Sequence, residues 1–516
     1  MDSGQKRLQE LGYKQELKRS LSVVSNFALS FAIISILTGV TTTYNTGLTY
    51  GGPVSIVYGW IIVSFFTMCI ALSMAEICSA YPTSGGLYFW SYSLAGPKWG
   101  PFASWITGWF NIFGQWATTT SANFSMAILV QVIILLATGG RDGGYYASKY
   151  VVIGFHGIFL LMHGLINNLE IKWVSRLGTL AVIWNCIGVF LITILVLAVA
   201  PERRSAKFVF SYFYKDNGSG IGSSLYVFVV GLLMSQYSLI GYDASAHMSE
   251  ETKSADKNGA YGIVSAVGIS VVIGAIYLLG ITFIITDVDH VLSLDNDARG
   301  YAVAQAFYDA FKMRYGSGGG GIVCLAIVAV AVFLCCMSCV TSNSRMAYAF
   351  SRDGAVPLSR LWHKVNKRDI PSNAVWLAVV VSFCMALPFS THLHTQYLGS
   401  SVAFQAMVSI ATIGSCISYA LPILFRVTIA RNSFVPGPFH LGKFLGLVTG
   451  WISVVWVALI TVLFCLPIVY PVTSKSFNYT PVAVGGVFTF TMTYWLLSAR
   501  YWFQGPVSNL GSSPLY

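Results

Sequence analysis

Long apolar runs alternate with short polar segments along almost the whole chain. A helix needs about 20 mainly apolar residues to cross a membrane, and these runs are long enough. None shows the short alternating pattern of a strand in a membrane β-barrel. The pattern predicts an all-α membrane protein with 12 transmembrane helices, numbered here as spans 1 to 12: 21–45, 54–78, 101–137, 149–168, 173–199, 223–248, 259–286, 319–350, 373–390, 397–426, 444–470 and 480–503.

Small and polar residues interrupt two of these spans. Span 1 contains "SILTGVTTT" at 35–43, and span 6 contains "MSQYSLIGYDAS" at 234–245. These spans are the first helices of two successive groups of five. Interrupted helices at matching places in two halves are typical of transporters built from inverted repeats. Glycine, serine and threonine also let membrane helices pack closely, which is the alternative interpretation of either run alone.

A broken helix leaves backbone N–H and C=O groups that lipid cannot satisfy. A bound solute can satisfy them. The N-terminus of a half-helix favours an anion such as a carboxylate, whereas unwound carbonyls favour an ammonium group. Two such breaks together predict a site for a molecule that carries both groups, such as an amino acid.

Composition agrees with a membrane protein. Hydrophobic residues make up 55% of the chain and charged residues only 9%, whereas soluble domains are about 25% charged. The net charge of +11 would suit a nucleic-acid-binding protein, but the basic residues lie in loops between spans. We therefore expect no nucleic-acid partner. Two thirds of the 30 Lys and Arg residues fall on the N-terminal side of the membrane, so the positive-inside rule places both termini in the cytoplasm.

All ten cysteines lie in or at the ends of apolar runs, which argues against a disulfide framework. The run "CCMSC" at 335–339 has the residues of a metal or redox motif. Small, soft side chains at a helix interface explain it more simply. We expect no metal and no cofactor.

The spans divide the chain into five parts. They are a cytoplasmic N-terminal segment (1–20), a first five-helix repeat (21–199), a second repeat preceded by an outer loop (200–426), two further helices (427–503) and a cytoplasmic tail (504–516). Another outer loop, at 287–318, runs into "GSGGGG" at 316–321. This glycine run predicts a flexible linker.

Three longer motifs stand out: "SMAEICSAYPTSGGLYFW" at 73–90, "GYDASAHMSEET" at 241–252 and "SNSRMAYAFSRDGAVPLS" at 342–359. With them, nearly the whole chain resembles the amino acid–polyamine–organocation (APC) superfamily, and more narrowly the plant bidirectional amino-acid transporters, also called GABA permeases. The resemblance implies a LeuT-type fold: ten core helices in two inverted repeats, with helices 1 and 6 broken, plus two more helices. It also implies a secondary transporter that moves amino acids, including GABA, by alternating access and in both directions.

The resemblance implies roles for residues in both breaks. In span 1, the unwound part with amides aimed at the substrate carboxylate would consist of Ser35, Thr38, Gly39, Val40 and Thr41. In span 6, the unwound part would consist of Ser238, Gly241 and Asp243, with carbonyls and the Asp243 carboxylate facing the amine. Tyr237 falls where family members place an aromatic gate over the site.

The charges near the end of span 6 need an explanation, because a charge at mid-bilayer costs about 2.5–3.5 kcal/mol. We expect Asp243 to be tolerated because the helix is unwound there and the side chain faces a wet cavity. We expect Glu250 and Glu251 at the cytoplasmic exit, among Lys253 and Lys257.

Two amides in span 3 share one helix face. Asn111 and Gln115 are four residues apart, so their side chains are neighbours. Either they line the substrate cavity, or they form hydrogen bonds between helices, which are worth about 0.6 kcal/mol on average in membranes.

Ion coupling is where the chain departs from the resemblance. Several proton-coupled relatives carry a lysine in span 5 in place of a sodium ion, and here that position holds Asn185, which cannot change charge. Asp243 or His247, one turn apart, could replace the lysine. Alternatively, coupling is absent and His247 is an ordinary interface histidine. The span 8 hydroxyls of the kind that hold sodium in relatives are Ser338, Thr341 and Ser342.

Three other functions compete with an amino-acid carrier. A carrier for another small amine such as choline would leave the span 1 amides without an anion, and a nutrient sensor on this scaffold would bind substrate without moving it. An enzyme could use His156 or His163 of span 4 as a base, but no acidic or nucleophilic partner lies at a useful spacing. We expect no enzyme.

The membrane is the last property that the sequence addresses. The first 20 residues contain Asp2, Glu10 and Glu16, so they are not the Arg-rich, acid-poor segment of a transit peptide. We expect a multi-pass protein of the plasma membrane or of a mitochondrial membrane.

Overall fold

The structure, a computed structural model, describes residues 2–12, 19, 21–215, 217–391, 402–473 and 476–507. The described chain is helical, and it includes two short 3₁₀ turns, Ser249–Glu251 and Ala499–Tyr501. Its α-helices are α1 (Ser3–Glu10), α2 (Val23–Ile34), α3 (Ile36–Thr49), α4 (Gly52–Ala80), α5 (Leu87–Ala137), α6 (Lys149–Asn167), α7 (Ile171–Val199), α8 (Ala206–Ser211), α9 (Ser224–Ser238), α10 (Ala244–His247), α11 (Ala255–Ile284), α12 (Val288–Leu292), α13 (Ala302–Tyr315), α14 (Gly319–Arg352), α15 (Ser359–Trp362), α16 (Ser372–Thr391), α17 (Val402–Val427), α18 (Lys443–Leu463) and α19 (Thr480–Leu497).

Each predicted span overlaps one or two of these helices, although α5 begins at Leu87, well before span 3. In the described part of the chain, ten segments are long and apolar enough to cross a membrane, with α2 and α3 counted together. The helices α9 and α16, at spans 6 and 9, are shorter but also apolar. The prediction of an all-α membrane protein is confirmed, whereas the 12 crossings and the side of the termini stay predictions. The start of predicted span 10 (397–401) and most of the predicted tail lie outside the described residues.

Span 1 is broken at a single residue. Helix α2 ends at Ile34 and α3 begins at Ile36, and between them Ser35 has φ 28° and ψ 87°. The N–H groups of Thr38 and Gly39 both donate to the Ser35 carbonyl, at 2.8 and 2.9 Å. The helix therefore restarts immediately after the break.

The expectation that Thr38, Gly39, Val40 and Thr41 are unwound is wrong, because all four lie in α3. The threonines that follow stabilise this helix without interrupting it. The hydroxyl of Thr42 donates to the Thr38 carbonyl at 2.8 Å. A hydroxyl bonded to the carbonyl one turn back satisfies itself within the helix, so a threonine-rich run need not unwind in a membrane.

Span 6 has a longer break, which confirms the predicted interruption. Helix α9 ends at Ser238 and α10 begins at Ala244. Gly241, in the middle of the break, has φ 96°, a conformation that only glycine adopts without strain. A Cβ atom on Gly241 would lie 2.2 Å from Cγ2 of Ile33, so the close approach of the two broken spans also requires glycine.

Polar contacts join the two broken spans. The Ser30 hydroxyl lies 2.7 Å from the Ser245 hydroxyl and 3.0 Å from the Tyr242 carbonyl. On the other side of the breaks, a Cβ atom on Gly39 would lie 2.8 Å from Cα of Ser238. The break in span 1 is thus packed directly against the break in span 6.

The outer loop at 287–318 is not the flexible linker that the glycine run predicted. It contains α12 and the 14-residue helix α13. Gly316 ends α13 with φ 72°, and α14 begins at Gly319. A Cβ atom on Gly321 would lie 2.6 Å from the Phe307 backbone. The glycines therefore let α13 and α14 pack closely.

Candidate functional site

Asp243, at the end of the span 6 break, is the centre of a buried hydrogen-bond network. Its side chain is 1% exposed. Oδ1 accepts from the Tyr419 hydroxyl at 2.8 Å. Oδ2 accepts from Gln115 Nε2 at 2.7 Å and Asn111 Nδ2 at 3.3 Å, and it lies 3.3 Å from His247 Nε2. These contacts join α5, α10 and α17.

The environment of Asp243 differs from the expected wet cavity. A carboxylate has about four acceptor positions, and four side chains contact this one, three at Oδ2 and one at Oδ1. A buried charge is tolerated when it is fully hydrogen-bonded. Protein groups therefore compensate the burial of Asp243.

The structure places Asn111 and Gln115 in hydrogen bonds between helices. Both donate to Asp243, and Asn111 also donates to the Ser418 hydroxyl at 3.2 Å. This is one of the two alternatives that the sequence left open. Contact of either amide with substrate stays a prediction.

Tyr419 of α17 is a residue that the sequence did not single out. Its hydroxyl donates to Asp243 and accepts from the Gly241 N–H at 3.2 Å. It therefore satisfies an amide that the break has released. A tyrosine within an apolar run carries no distinguishing pattern, and its partner lies 176 positions away in the sequence.

Tyr237, the predicted aromatic gate, lies in the last turn of α9 next to the break. Its side chain is buried, and its hydroxyl lies 2.9 Å from the hydroxyl of Ser121 on α5. The preceding Gln236 accepts from Trp456 Nε1 of α18 at 2.9 Å. Contacts with two other helices thus hold the end of α9, while the gating role of Tyr237 stays a prediction.

Asn185 of α7 reaches the break in span 1. Its Oδ1 accepts from the Ser35 hydroxyl at 3.0 Å, and its Nδ2 donates to the Ala181 carbonyl of its own helix at 2.9 Å. The Ser35 hydroxyl also lies 2.6 Å from that of Thr38. The neutral amide of Asn185 therefore holds the Ser35 side chain at the break.

The three span 8 hydroxyls do not converge on that break. Thr341 donates to Asn167 Oδ1 of α6 at 2.6 Å, and Ser338 donates to a carbonyl of its own helix. Ser342 is buried with no partner in the described structure. The group of α14 that contacts the break is a thiol: Cys335 Sγ lies 3.3 Å from the Ile33 carbonyl oxygen.

His247 connects the Asp243 network to the loop between α4 and α5. Its Nε2 faces Asp243, and its Nδ1 lies 3.3 Å from the Ser84 carbonyl oxygen. The Ser84 hydroxyl in turn donates to Glu250. A continuous polar path therefore runs from the span 6 break to the 3₁₀ turn after α10.

That turn is fastened to the end of α14 by two buried ion pairs, here called the α14 latch. Arg352 Nη2 lies 3.1 Å from Glu250 Oε1, and Arg345 Nη2 lies 3.5 Å from Glu251 Oε1. All four side chains are almost completely buried. The latch therefore fastens the turn after α10 to α14.

The expectation that Glu250 and Glu251 lie among Lys253 and Lys257 is wrong. Both lysines are exposed to solvent. The glutamates point into the protein because the arginines of α14 reach beneath the turn. Sequence proximity favoured the lysines, whereas the arginines are about 100 positions away.

Burial and the arginines act on the two carboxyls with different results. Burial acts to raise the pKa of Glu250, but the charge and hydrogen bonds of Arg352, with Ser84, hold that pKa below its usual value. Burial raises the pKa of Glu251, and the more distant Arg345 does not cancel this rise.

Comparisons with known proteins agree with this architecture. The family model described as amino acid permease matches residues 21–488. Amino-acid permease BAT1 of Arabidopsis thaliana is 63% identical over 99% of this chain and 97% of its own length. The GABA-specific permease of Saccharomyces cerevisiae is 28% identical over 98% of this chain and 86% of its own length. The crystal structure of MhsT in complex with L-phenylalanine has 13% sequence identity, covers 87% of this chain and 100% of its own, and has a TM-score of 0.58. The chain belongs to the amino acid permease family of the APC superfamily and is a multi-pass membrane transporter, not an enzyme.

Proposed function

We propose that this permease exchanges amino acids, including GABA, in both directions by alternating access, with the substrate held between the span 1 and span 6 breaks. The observation that carries the proposal is the pair of breaks itself. The N–H groups of Ile36 and Leu37, at the start of α3, have no acceptor in the described structure. The carbonyls of Leu239 and Ile240, in the opposite break, accept no hydrogen bond there. Free amides and free carbonyls suit the two charged ends of an amino acid.

The names of the relatives support this class of substrate. One is an amino-acid permease and another is specific for GABA. Choline lacks a carboxylate, so a choline carrier would leave the amides of α3 unsatisfied. In this proposal Asp243 supports the site without contacting the substrate, because side chains of the protein already contact both of its oxygens.

We further propose that exchange needs no ion gradient. Ser35, the residue at the span 1 break, is hydrogen-bonded to Asn185, which neither titrates nor carries charge. The hydroxyls of Ser338 and Thr341 bond elsewhere. A neutral side chain at the lysine position and two already bonded hydroxyls therefore support exchange without a coupling ion.

Counterflow tests this function. Proteoliposomes containing the purified protein are preloaded with unlabelled alanine, glutamate, lysine or GABA, and entry of the labelled solute is followed with and without a pH or sodium gradient. We expect saturable accumulation driven by the preloaded solute alone, with choline as a poor competitor. Uptake that occurs only with a gradient would contradict ion-independent exchange. Absence of counterflow with all four solutes would contradict the carrier itself and favour a sensor.

A further inference from the structure

The break at Ser35 frees a carbonyl inside the membrane. In a continuous helix the Ile33 carbonyl would accept from the N–H four residues on. The backbone bonds found across the break run instead from Ser35 to the Phe31 carbonyl and from Thr38 and Gly39 to the Ser35 carbonyl. In the described chain the donor on the Ile33 carbonyl is the Cys335 thiol, at 3.3 Å.

This contact brings together two buried groups from distant parts of the chain. Cys335 is 3% exposed and Ile33 is 8% exposed. An unsatisfied carbonyl at this depth would cost free energy, so some donor must serve it. A thiol is a weak donor, and it can therefore satisfy the carbonyl and still release it easily.

We propose that Cys335 is a positioning residue that holds the Ile33 carbonyl in the empty carrier and yields it to the ammonium group of the arriving substrate. The inference rests on the proposed function, because it needs an amine-bearing substrate at the span 1 break. The thiol keeps the carbonyl aimed and satisfied while the site is empty. A charged ammonium is a much stronger donor than a thiol, so the exchange of partners favours binding.

Replacement of the thiol by the ammonium group leads to an unusual prediction about affinity. Removal of the thiol by Cys335→Ala leaves the carbonyl bare in the empty site, so nothing competes with the ammonium. Both Kd and KM for labelled alanine and GABA should fall about two- to fivefold, as expected for loss of one weak competing hydrogen bond. Turnover should also slow, because release now exposes the carbonyl. Ordinary packing damage would raise KM.

Two further variants complete the test. Cys335→Ser keeps a hydroxyl donor at the position, so its KM should not fall below that of the wild-type protein. Cys324→Ala removes another buried thiol of α14, about three turns away, and should change neither constant. An unchanged or raised KM in folded Cys335→Ala protein, or an equal fall in Cys324→Ala, would overturn the proposal.

An infrared measurement on the wild-type protein separates this inference from the proposed function. The S–H stretching band that disappears in Cys335→Ala should be that of a hydrogen-bonded thiol in the empty carrier and should shift on addition of alanine or GABA. A band that is not hydrogen-bonded would refute the contact even if counterflow succeeds. If the S–H band is that of a hydrogen-bonded thiol, no amino acid shifts it and counterflow is absent, the proposed function is refuted. With counterflow intact, an unshifted band would refute only the role of Cys335.

Discussion

Asp243 connects the span 6 break to α5 and α17 by hydrogen bonds. We therefore expect transport to depend on the charge of this side chain more than on its size. Asp243→Asn replaces one acceptor oxygen with an NH₂ group that must face existing donors. Each hydrogen bond to a charged group is worth about 1.5–3 kcal/mol, and about 1.4 kcal/mol is a factor of ten. We predict that this variant lowers exchange about tenfold or more, and to the same degree for alanine, lysine and GABA.

Exchange rates per folded protein in proteoliposomes measure this effect. Asp309→Asn is the control, because Asp309 lies on α13 in the outer loop and pairs with His290 at 3.0 Å. It should retain normal exchange. Unaltered rate and affinity in Asp243→Asn would remove this residue from the site.

Gly241→Ala should stop transport without unfolding the protein. The left-handed backbone at φ 96° costs any other residue about 1–2 kcal/mol. The new methyl group would also collide with Ile33 at 2.2 Å. Both effects push the two breaks apart. Gly154→Ala is the matched control, because a Cβ atom there meets nothing within 4 Å. Size-exclusion chromatography checks folding, and normal counterflow by Gly241→Ala would show that the breaks need not touch.

Among single residues, the sequence predicted some that lie at the site and missed others. Gly241 and Asp243 stand out because a glycine and a charge interrupt an apolar run. Tyr419 does not, because tyrosine is ordinary in membrane helices. Cys335 stood out only as part of the run "CCMSC", which does not indicate a contact with a broken helix. Their partners are 176 and 302 positions away, and only the folded chain brings them together.

Among the elements, α14 and the turn after α10 are joined by the α14 latch. Glu250→Gln removes the carboxylate that pairs with the buried guanidinium of Arg352, and breaking a buried pair in this way costs about 3–5 kcal/mol. We predict faster amide hydrogen exchange across residues 249–254. Glu10→Gln is the control, since it removes the exposed Arg7–Glu10 pair, and such pairs contribute about 0–1 kcal/mol. Equal rates of amide hydrogen exchange in both variants would show that the latch does not hold the turn.

The latch should also respond to pH in two opposite ways. The pKa of Glu250 is lowered from 4.5, so its stabilisation is complete above that value and is lost only as the pH falls through the lower folded pKa. The pKa of Glu251 is raised, so its stabilisation is present at low pH and is lost as the pH rises through the raised value. We predict that Glu251→Gln abolishes the weakening of amide protection that accompanies rising pH in the wild-type turn. A persisting pH dependence would assign it to another group.

Which helices break could be predicted from sequence, but the extent of each break could not. In span 1 the resemblance implied an unwound stretch that includes Ser35, Thr38, Gly39, Val40 and Thr41. In the membrane threonine hydroxyls bond to carbonyls one turn back, as those of Thr42 and Thr43 do. The break therefore shrinks to Ser35.

For the whole molecule, hydropathy was sufficient to locate the spans, because a membrane helix must be apolar over its full length. It failed for the glycine run before α14, where the loop was expected to be flexible. Composition alone does not distinguish glycines that give freedom from glycines that allow close packing. Here Gly320 and Gly321 lie directly against Phe311 and Phe307 of α13. These glycines therefore allow close packing and do not give flexibility.

Several loop contacts agree with the predicted assignment of the loops to two ends of the molecule. At one end Gly51 pairs with Tyr214, and the Tyr470 N–H bonds to the Ser219 carbonyl. At the other end Ser3 bonds to Asp256. This division is the one assumed when the basic residues were assigned to two sides, and the excess of positive charge then predicts which end is cytoplasmic.

Cysteine labelling tests this orientation in intact cells that display the protein at the surface. Asp295→Cys lies in the predicted outer loop and Lys367→Cys in the predicted inner loop, and both positions are exposed to solvent. A membrane-impermeant maleimide should label Asp295→Cys at once and Lys367→Cys only after permeabilisation. The wild-type protein gives the background. The reverse pattern would invert the predicted topology, and labelling of both sites in intact cells would mean that the two loops do not lie on opposite sides of one membrane.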